Sequence, residues 1–339
     1  MDMKAISFHK SLPITDPQSL VEITVDQPKP GPRDLLVEVR AISVNPVDTK
    51  IRSGGGPAKP GAPLPILGWD AAGIIKEIGS DVTFFKPGEE VYYAGSVDRP
   101  GSYAEFQCVD ERLVGLKPKT LGFAEAAALP LTTITAWEML FDRLRIDASS
   151  TGSLLILGGA GGVGSIAIQL ARQLTPLTII ATASRTETVQ WCVGMGAHHV
   201  VDHSQPLAAQ VKRLVPGGVN YVLALTKAED HFDQLIEAMA PQSAMALIEN
   251  PARPLDIIKL KPKSISLHWE FMFTRSRYET PDMAEQGHLL NQTASLVDLG
   301  RLKTTMQTNL GTINPTNLKT AHAQIESGKT IGKIVLAGF

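Results

Sequence analysis

The sequence predicts an α/β protein in two parts, one rich in β-strands and one built on a doubly wound parallel sheet. Short strand-like segments separated by turns fill the chain up to about residue 123, which predicts the β-rich part. Strands then alternate with helices from residue 154 onward, which predicts the parallel sheet with helices on both faces. We assign residues 1–123 and 275–339 to the β-rich part and residues 124–274 to the α/β part.

The β-rich part is predicted from segments in which apolar and charged residues alternate. Within residues 35–43, Val37 and Val39 alternate with Glu38 and Arg40, as in a strand with one buried face. Residues 53–65 contain three consecutive glycines and four prolines, and they are predicted to form the most flexible loop. Further short strands are predicted at residues 73–77, 90–93, 103–109 and, in the tail, 333–336.

The α/β part begins with two predicted helices, residues 123–128 and 132–140, separated by Pro130. Gly196 is the expected C-cap of a later helix. Residues 264–273, with the sequence SISLHWEFMF, are predicted to form an apolar, aromatic strand at the edge of the sheet. The other predicted strands are residues 154–157, 178–183, 199–201, 221–225 and 244–248, and the clearest helices are 163–174 and 189–195.

Composition excludes several classes of protein. The chain has 339 residues, 43% hydrophobic and 19% charged, which is typical of a globular protein and excludes a disordered one. Its net charge of −2, without a long basic run, gives no footprint for nucleic acid. Cys108 and Cys192 are too few for a disulfide framework or a four-cysteine zinc site, so we expect a reducing, cytoplasmic compartment.

One uncharged stretch, residues 148–171, has the length of a membrane span. Its middle contains five glycines within seven positions, from Gly158 to Gly164, and glycine is a poor helix former. A buried strand, a turn and a helix explain the absence of charge better, and we expect no membrane partner.

The glycines in this stretch form the pattern Gly159-x-Gly161-x-x-Gly164, directly after an apolar strand and at the start of a helix. In that setting the pattern predicts a dinucleotide-binding turn in a Rossmann domain. The first glycine makes the tight turn, the second lets the backbone approach the pyrophosphate, and the third lets the helix pack on the strand. The alternative is a tight turn without a ligand. The predicted cofactor contacts in the turn are Gly159, Ala160, Gly161, Gly162, Val163 and Gly164.

The end of the next strand indicates which dinucleotide is bound. NAD enzymes usually place Asp or Glu about 20 residues beyond the glycines, where it binds the ribose. Here the strand runs into Ser184 and Arg185, and the first carboxylate is Glu187. A hydroxyl and a guanidinium suit a 2′-phosphate, so the sequence favours NADPH. The alternative is that Arg185 is an ordinary solvated arginine.

Several motifs together resemble one family over essentially the whole chain. These are SVNPVDTK at residues 43–50, GWDAAG at 68–73, LTTITAW at 131–137, the glycine turn, and GKIVL at 332–336. The chain resembles the medium-chain dehydrogenase/reductases, specifically the zinc-free quinone oxidoreductase branch that includes zeta-crystallin. The resemblance implies a GroES-like catalytic domain in the β-rich part, with the active site in a cleft beside the Rossmann domain.

The same resemblance argues against zinc. Zinc-dependent relatives carry a catalytic Cys where this chain has Asn45, and a His-Glu pair where it has Trp69 and Asp70. Asn and Trp are poor zinc ligands. The region of the cysteine-rich structural zinc lobe, residues 95–101, contains no Cys. His198, His199 and His203 cluster without a cysteine pattern, which favours loop histidines, and we predict no metal.

The resemblance also assigns site residues. Asn45 would bond the acceptor oxygen or the nicotinamide ribose, and Thr135 would contact the nicotinamide amide unless it is a helix-interior hydroxyl bonded to backbone. Asp48 would contact the ribose or cap the following turn. His203 falls where relatives often place a Tyr near the adenosine phosphate, so NADPH affinity would weaken as pH rises. Lys333 would reach the cofactor, or be an exposed lysine.

Without a metal to polarise an alcohol, the resemblance implies NADPH-dependent reduction of quinones or α,β-unsaturated carbonyl compounds. Alternatives are reduction of another activated carbonyl, or an NADPH-binding protein with a structural or regulatory role and little turnover. The loop that carries a tyrosine in several relatives has none here, so no side-chain proton donor is evident, and Tyr92, Tyr93 and Tyr103 are favoured as core residues.

The resemblance bears on assembly as well. In the family, an edge strand such as residues 264–273 pairs with its twin. It therefore implies a homodimer, with a tetramer left open. The alternative is that the strand is covered internally.

Overall fold

The computed structural model of the protein describes residues 1–54 and 64–339. Most of the loop predicted at residues 53–65 therefore lies outside the described residues. The chain divides into two compact units: the first consists of Met1–Leu131 and Phe273–Phe339, and the second of Thr132–Met272.

Elements are numbered in chain order. The amino-terminal segment contains β1 (Asp2–Ser7), β2 (Val21–Asp26), β3 (Asp34–Val44), α1 (Pro46–Gly54), β4 (Ala71–Ile78), β5 (Glu90–Tyr93), β6 (Phe106–Asp110), the 3-10 turn Glu111–Leu113, β7 (Val114–Leu116) and α2 (Phe123–Ala127). Then come α3 (Pro130–Trp137), the π-helical turn Glu138–Arg143, β8 (Ser153–Leu157), α4 (Gly162–Leu174), β9 (Thr178–Thr182), α5 (Thr186–Gly194), β10 (His199–Val201), α6 (Leu207–Leu214), β11 (Val219–Ala224), α7 (Ala228–Ala238) and β12 (Met239–Leu247). The last are the 3-10 helix Ile257–Lys263, β13 (Ser266–Trp269), α8 (Thr274–Tyr278), α9 (Glu285–Asp298), β14 (Met306–Asn309), α10 (Pro315–Glu326) and β15 (Lys333–Ala337).

The first unit is organised around the long strand β3. Its main sheet has seven strands, in the order β14-β15-β3-β4-β5-β7 with β6 paired to β3. β15, from the far end of the chain, pairs antiparallel with the end of β3, Ile334 opposite Val44. β4 begins beside the same end of β3, with Ala71 opposite Ile42. The residues that flank these three strand ends are therefore brought close together.

The second unit contains a six-stranded sheet in the order β10-β9-β8-β11-β12-β13, with every neighbouring pair parallel. Numbered from β8, this is the order 3-2-1-4-5-6 of the doubly wound dinucleotide-binding fold. The strands that follow β8 in the chain, β9 and β10, lie on one side of it in the sheet, and β11, β12 and β13 lie on the other side. Ligands of this fold bind outside the carboxyl ends of the strands at this switch point. The predicted α/β fold class is confirmed.

Among the predicted elements that differ from the structure, three differ for a clear physical reason. Residues 103–105 bond to β1, with Glu105 N donating to Lys4 O, so β6 begins only at Phe106. Pro130 does not separate two helices but is the first residue of α3, where the missing N–H costs no hydrogen bond. The predicted strand at 264–273 is only four residues long, because its partner β12 ends at Leu247, opposite Trp269.

Candidate functional site

The turn after β8 contains the three motif glycines, and the structure requires glycine at two of these positions but not at the third. A Cβ on Gly159 would lie 2.8 Å from Ala181 Cβ, and a Cβ on Gly164 would lie 2.7 Å from the Gly159 carbonyl oxygen. At both positions the surrounding protein leaves no room for a side chain. A Cβ on Gly161, in contrast, would meet nothing nearer than Gly158 O at 3.5 Å, and its φ of −73° suits any residue. The fold does not require glycine at 161, so the space beside it is available to a ligand.

Gly161 is also the N-cap of α4, and no side chain caps that helix. The first N–H groups of a helix have no partner within the helix, and together with the helix dipole they form a favourable site for an anion. α4 is 13 residues long and follows the first strand of the doubly wound sheet, as in known phosphate-binding turns. The space at Gly161 and the uncapped helix start together fit the diphosphate of a dinucleotide.

Ser184 and Arg185 lie where β9 ends and α5 begins. Ser184 is exposed, and Arg185 is the N-cap of α5, with its N–H donating to Thr188 Oγ1 at 3.1 Å. The guanidinium pairs with Glu187 at 3.3 Å, and both side chains are about half exposed, 41% and 57%. Such a pair contributes at most ~1 kcal/mol, so a phosphate could take the place of the carboxylate.

His203 follows β10 and packs against His231 of α7, with ring centroids 6.0 Å apart. His203 Nδ1 is buried and has no hydrogen-bond partner among the described residues. Burial lowers the pKa of His203, and the neighbouring Lys227 lowers it further, against the opposing effect of Asp202. Without a bound anion, His203 is therefore mainly neutral at physiological pH. Any effect of its protonation on NADPH binding would occur at a pH below the range in which histidine ordinarily titrates.

In the first unit, Asn45, Asp70 and Lys333 form a buried cluster, here called the Asn45 cluster. They follow β3, precede β4 and begin β15, and each is at most 3% exposed. Lys333 Nζ lies 3.1 Å from Asp70 Oδ2 and 3.2 Å from Val44 O, and it also bonds Asn45 Oδ1. An ammonium has three N–H donors, and all three are used here.

This geometry excludes the exposed position considered for Lys333 and limits the hydrogen bonds that Asn45 could make to a ligand. Lys333 is buried, and its N–H groups lie on Asp70, Asn45 and the Val44 carbonyl oxygen. Both hydrogens of the Asn45 amide are also used, on Asp70 Oδ2 at 3.0 Å and Ser43 O at 3.2 Å. Asn45 therefore has no N–H left for an acceptor oxygen, and only Oδ1 could accept a further hydrogen bond.

Asp48 is the third residue of α1, and Asn45 directly precedes the helix. Its Oδ2 accepts the Asn45 N–H at 2.9 Å, the reciprocal half of a capping box. The same oxygen accepts the Tyr103 hydroxyl at 2.9 Å. The capping role considered from the sequence is therefore present, and Asp48 is fully buried. Thr135, the third predicted catalytic residue, is buried in α3 of the second unit.

Sequence reasoning missed the partners of these residues. Asp70 was noted only for its position, and Arg52 of α1 and His322 of α10 not at all, although both are buried. One signal was present: His322 shares the buried face of α10 with Leu318 and Ala321, where an apolar residue is expected.

Asn45, Trp69 and Asp70, which the resemblance aligns with the zinc site of relatives, all have hydrogen-bond partners within this chain. Trp69 is buried and donates Nε1–H to Ser96 O at 2.8 Å. Among the described residues, no three His, Cys, Asp or Glu side chains come together as a metal site would require. None of the helices in the described part of the chain combines the length and the hydropathy that a membrane span requires.

Two family models match the chain. An alcohol dehydrogenase GroES-like domain matches residues 31–133, and a zinc-binding dehydrogenase domain matches residues 195–336. The zinc-type alcohol dehydrogenase-like protein of Staphylococcus aureus is 39% identical over 338 residues, which is 98% of this chain and 99% of that protein. The NADPH-dependent alkenal/one oxidoreductase of Arabidopsis thaliana is 40% identical over 178 residues, 50% of this chain and 45% of that protein.

Solved structures of other proteins superpose on this chain over its full length. A candidate zinc-dependent alcohol dehydrogenase from Rhizobium etli CFN 42 is 52% identical with a TM-score of 0.96, covering 100% of this chain and 99% of its own. The quinone oxidoreductase of Coxiella burnetii is 26% identical with a TM-score of 0.81, covering 100% of both chains.

The fold, the glycine turn and these matches define a two-domain oxidoreductase. The chain belongs to the medium-chain dehydrogenase/reductase superfamily, and within it to the zinc-type alcohol dehydrogenase-like proteins.

Proposed function

We propose that the protein is an NADPH-dependent reductase that transfers hydride to quinones or α,β-unsaturated carbonyl compounds without zinc. The observation that carries this proposal is the Asn45 cluster, in which the Lys333 ammonium contacts Asn45 and Asp70, two of the positions where the family resemblance implies the zinc site of zinc-dependent relatives. The relatives named for alkenal/one and quinone reduction support the acceptor class.

The charge of Lys333 and the types of side chain present both disfavour zinc binding at this position. A divalent cation placed among Asn45, Trp69 and Asp70 would meet the Lys333 ammonium within about the length of an ion pair, and the two cations would repel each other. Asp70 is the single zinc-binding side chain of the three, and Lys333 already neutralises it.

NADPH, when bound, supplies the hydride from its nicotinamide ring. The residues of this chain would hold it, with the glycine turn and the start of α4 at the diphosphate, and Ser184, Arg185 and His203 near the 2′-phosphate. We assign the domain roles accordingly, with the nucleotide in residues 124–274 and substrate binding in residues 1–123 and 275–339. Asn45 Oδ1 accepts a hydroxyl or amide hydrogen, which favours the ribose over the substrate oxygen as its partner.

Replacing Arg185 by Asp should weaken NADPH binding by about 10- to 100-fold, the loss of one charge-assisted contact to a phosphate. NADH, which lacks the 2′-phosphate, should change by less than about threefold. Fluorescence titration of both reduced nucleotides measures the two dissociation constants. Arg213→Asp, an exposed change of the same type in α6, serves as the matched control. Equal losses for NADPH and NADH would remove Arg185 from the phosphate site.

The proposed activity is tested by NADPH consumption with metal-free protein. The acceptor panel should contain an ortho-quinone, a para-quinone, an unsaturated aldehyde and a simple ketone, with NADH in parallel. We expect turnover of the quinones or the aldehyde with NADPH and none of the ketone, and no change when zinc is added. Tight NADPH binding without reduction of any acceptor would instead favour a structural or regulatory NADPH-binding protein.

We also propose a cytoplasmic homodimer. The free thiols of Cys108 and Cys192 are consistent with a reducing compartment. β13 is an edge strand, Trp269 at its end is 51% exposed and the nearby Phe271 is 45% exposed, so the edge is available to a second copy. Trp269→Lys should shift the protein from dimer to monomer in light scattering, while Leu214→Lys, at an exposed position of α6, should not. A wild type that is monomeric at micromolar concentration would contradict the proposal.

A further inference from the structure

Two glutamates of the second unit are buried side by side. Glu138 begins the π-helical turn that continues α3, and Glu270 directly follows β13. Both side chains are completely buried, with 0% of their surface exposed, and they are here called the carboxyl pair. Neither residue has a role in the proposed function. A buried carboxylate is costly unless its charge is balanced, so the pair requires a reason of its own.

The two carboxyl groups share one arginine. Arg143 Nε lies 2.7 Å from Glu270 Oε2, and Arg143 Nη2 lies 3.8 Å from Glu138 Oε2. A guanidinium carries a single positive charge, so two ionised carboxylates beside it would leave one negative charge in the interior. Buried carboxyl groups avoid such a charge by binding a proton.

The hydrogen bonds of Glu270 indicate where that proton resides. Oε2 accepts from Arg143, whereas Oε1 is buried and has no hydrogen-bond partner among the described residues. A proton on Oε1 can be donated to the Glu138 carboxylate, which lies in hydrogen-bonding contact with Glu270. Burial and the charge of Glu138 raise the pKa of Glu270 well above its ordinary value, against the opposing effect of Arg143. The pair therefore binds one proton at neutral pH, and that proton belongs to the two residues together.

The other charged or titratable residues of the surrounding segments leave this balance unchanged. Burial, Arg143 and Arg145 lower the pKa of His268 on β13, so its ring is mainly neutral at physiological pH. Arg145 itself is exposed to solvent. Asp142 of the π-helical turn and Glu249 beyond β12 are acidic and could add only negative charge. The shared proton is therefore what makes the carboxyl pair and Arg143 neutral.

The carboxyl pair connects three segments of the second unit. Glu138 belongs to the π-helical turn, and the Glu270 N–H donates to Leu247 O at the end of β12, at 2.8 Å. β13 ends at Trp269, which is 51% exposed, and the residue after Glu270 is Phe271, which is 45% exposed. Between these two exposed aromatic residues, the buried Glu270 side chain holds the end of the edge strand to the π-helical turn.

We propose that the carboxyl pair is a proton-dependent clamp on the end of β13. With one proton shared between Glu138 and Glu270, the clamp holds residues 270–272 against the π-helical turn. When alkaline pH removes that proton, the two carboxylates repel each other in the interior, and residues 270–272 separate from the turn. The clamp is independent of the proposed function, because none of its atoms is assigned to the cofactor or the substrate.

The shared proton should make stability depend on pH. In the unfolded chain a glutamate is ionised above about pH 5, whereas the native pair keeps its proton, so the native state binds one proton more. Stability from this source is therefore greatest at acidic pH and is lost as pH rises. Glu270→Gln removes the proton but keeps a donor to Glu138 and an acceptor for Arg143. In urea denaturation, the ratio of the wild-type to the variant unfolding constant should rise by about tenfold per pH unit between about pH 6 and 8.

Two further variants separate this proton from a merely structural role. Glu138→Gln should remove the same dependence on pH, because one neutral side chain is enough to balance Arg143, and the double variant should have the same slope as either single one. Glu237→Gln makes the same chemical change at an exposed position, and it should keep the wild-type slope. A ratio for Glu270→Gln that does not change with pH would overturn the inference.

A measurement on the wild type keeps the inference testable if these variants do not fold. Isotopic labelling of the glutamate carboxyl carbons separates their infrared bands from those of aspartate. The labelled protein should contain a protonated glutamic acid band at about pH 7, where an ordinary glutamate is ionised, and the band should disappear at alkaline pH. Absence of the band at neutral pH overturns the inference.

Hydrogen exchange followed by mass spectrometry tests the release itself. Protection factors, which correct for the intrinsic dependence of exchange on pH, should fall by about tenfold or more for residues 270–272 between about pH 7 and 10 in the wild type. They should stay constant in Glu270→Gln, and in both proteins for the central strand β11. Equal protection of residues 270–272 at both pH values in the wild type would contradict the clamp.

Discussion

Replacing Gly161 by Asp is expected to abolish measurable NADPH affinity while leaving the protein as stable as the wild type. The added side chain enters the space beside Gly161, where the nearest heavy atom to a new Cβ is 3.5 Å away. A carboxylate there is a good N-cap for α4 and binds the N–H groups that the diphosphate would use. The affinity should fall by at least about 100-fold, measured by fluorescence titration, with an unfolding free energy within ~1 kcal/mol of the wild type.

Two controls bracket this prediction. Gly217→Asp introduces the same charge into open space in the second unit and should leave NADPH affinity unchanged. Gly164→Ala alters the same turn, but its Cβ would press on the backbone of Gly159, so it should cost about 1–3 kcal/mol of stability. If Gly161→Asp bound NADPH normally, the turn would be a tight turn without a ligand, the alternative considered from the sequence.

Replacing Lys333 by Met should destabilise the folded protein by about 3–5 kcal/mol, because the Asp70 carboxylate would remain buried without its partner. Burial already raises the pKa of Asp70, and Lys333 is the largest influence that lowers it. In Lys333→Met this pKa should rise further, so the lost stability should return as pH falls and Asp70 is protonated. Urea denaturation from mildly acidic to mildly alkaline pH measures the effect.

The Lys333→Met prediction has a rescue and a control. Lys333→Met combined with Asp70→Asn removes both charges and should recover part of the loss, because the introduced amide oxygen can still accept the Leu131 N–H that Asp70 Oδ1 accepts at 3.0 Å, although the introduced NH2 group would face the Asn45 side-chain N–H that Oδ2 accepts. Lys212→Met breaks only an exposed pair with Glu237 and should cost less than ~1 kcal/mol. A Lys333→Met protein of wild-type stability at alkaline pH would show that the Asn45 cluster is not an ion pair in solution.

Much of the second unit could be predicted from local sequence. β8, the glycine turn and α4 are contiguous, so their residue types express the strand, the tight turn and the helix directly. The edge strand was predicted too long for a reason that is not local. Residues after Trp269 are as apolar as those before it, but a strand needs a partner, and β12 ends opposite Trp269.

The sequence by itself determined the fold class, the glycine turn between β8 and α4 and the absence of the usual zinc ligands, because each depends on neighbouring residues or on a single residue type. Only the tertiary structure decided what replaces those ligands. Lys333 and Asn45 are 288 residues apart in the chain, and they meet because β15 pairs with the end of β3. Asp48, Tyr103 and His322 are likewise brought together from three separate segments. Side chains so distant in sequence leave no local pattern, so the hydrogen-bonding capacity of Asn45 and the environment of Asp48 could be read only from the folded chain.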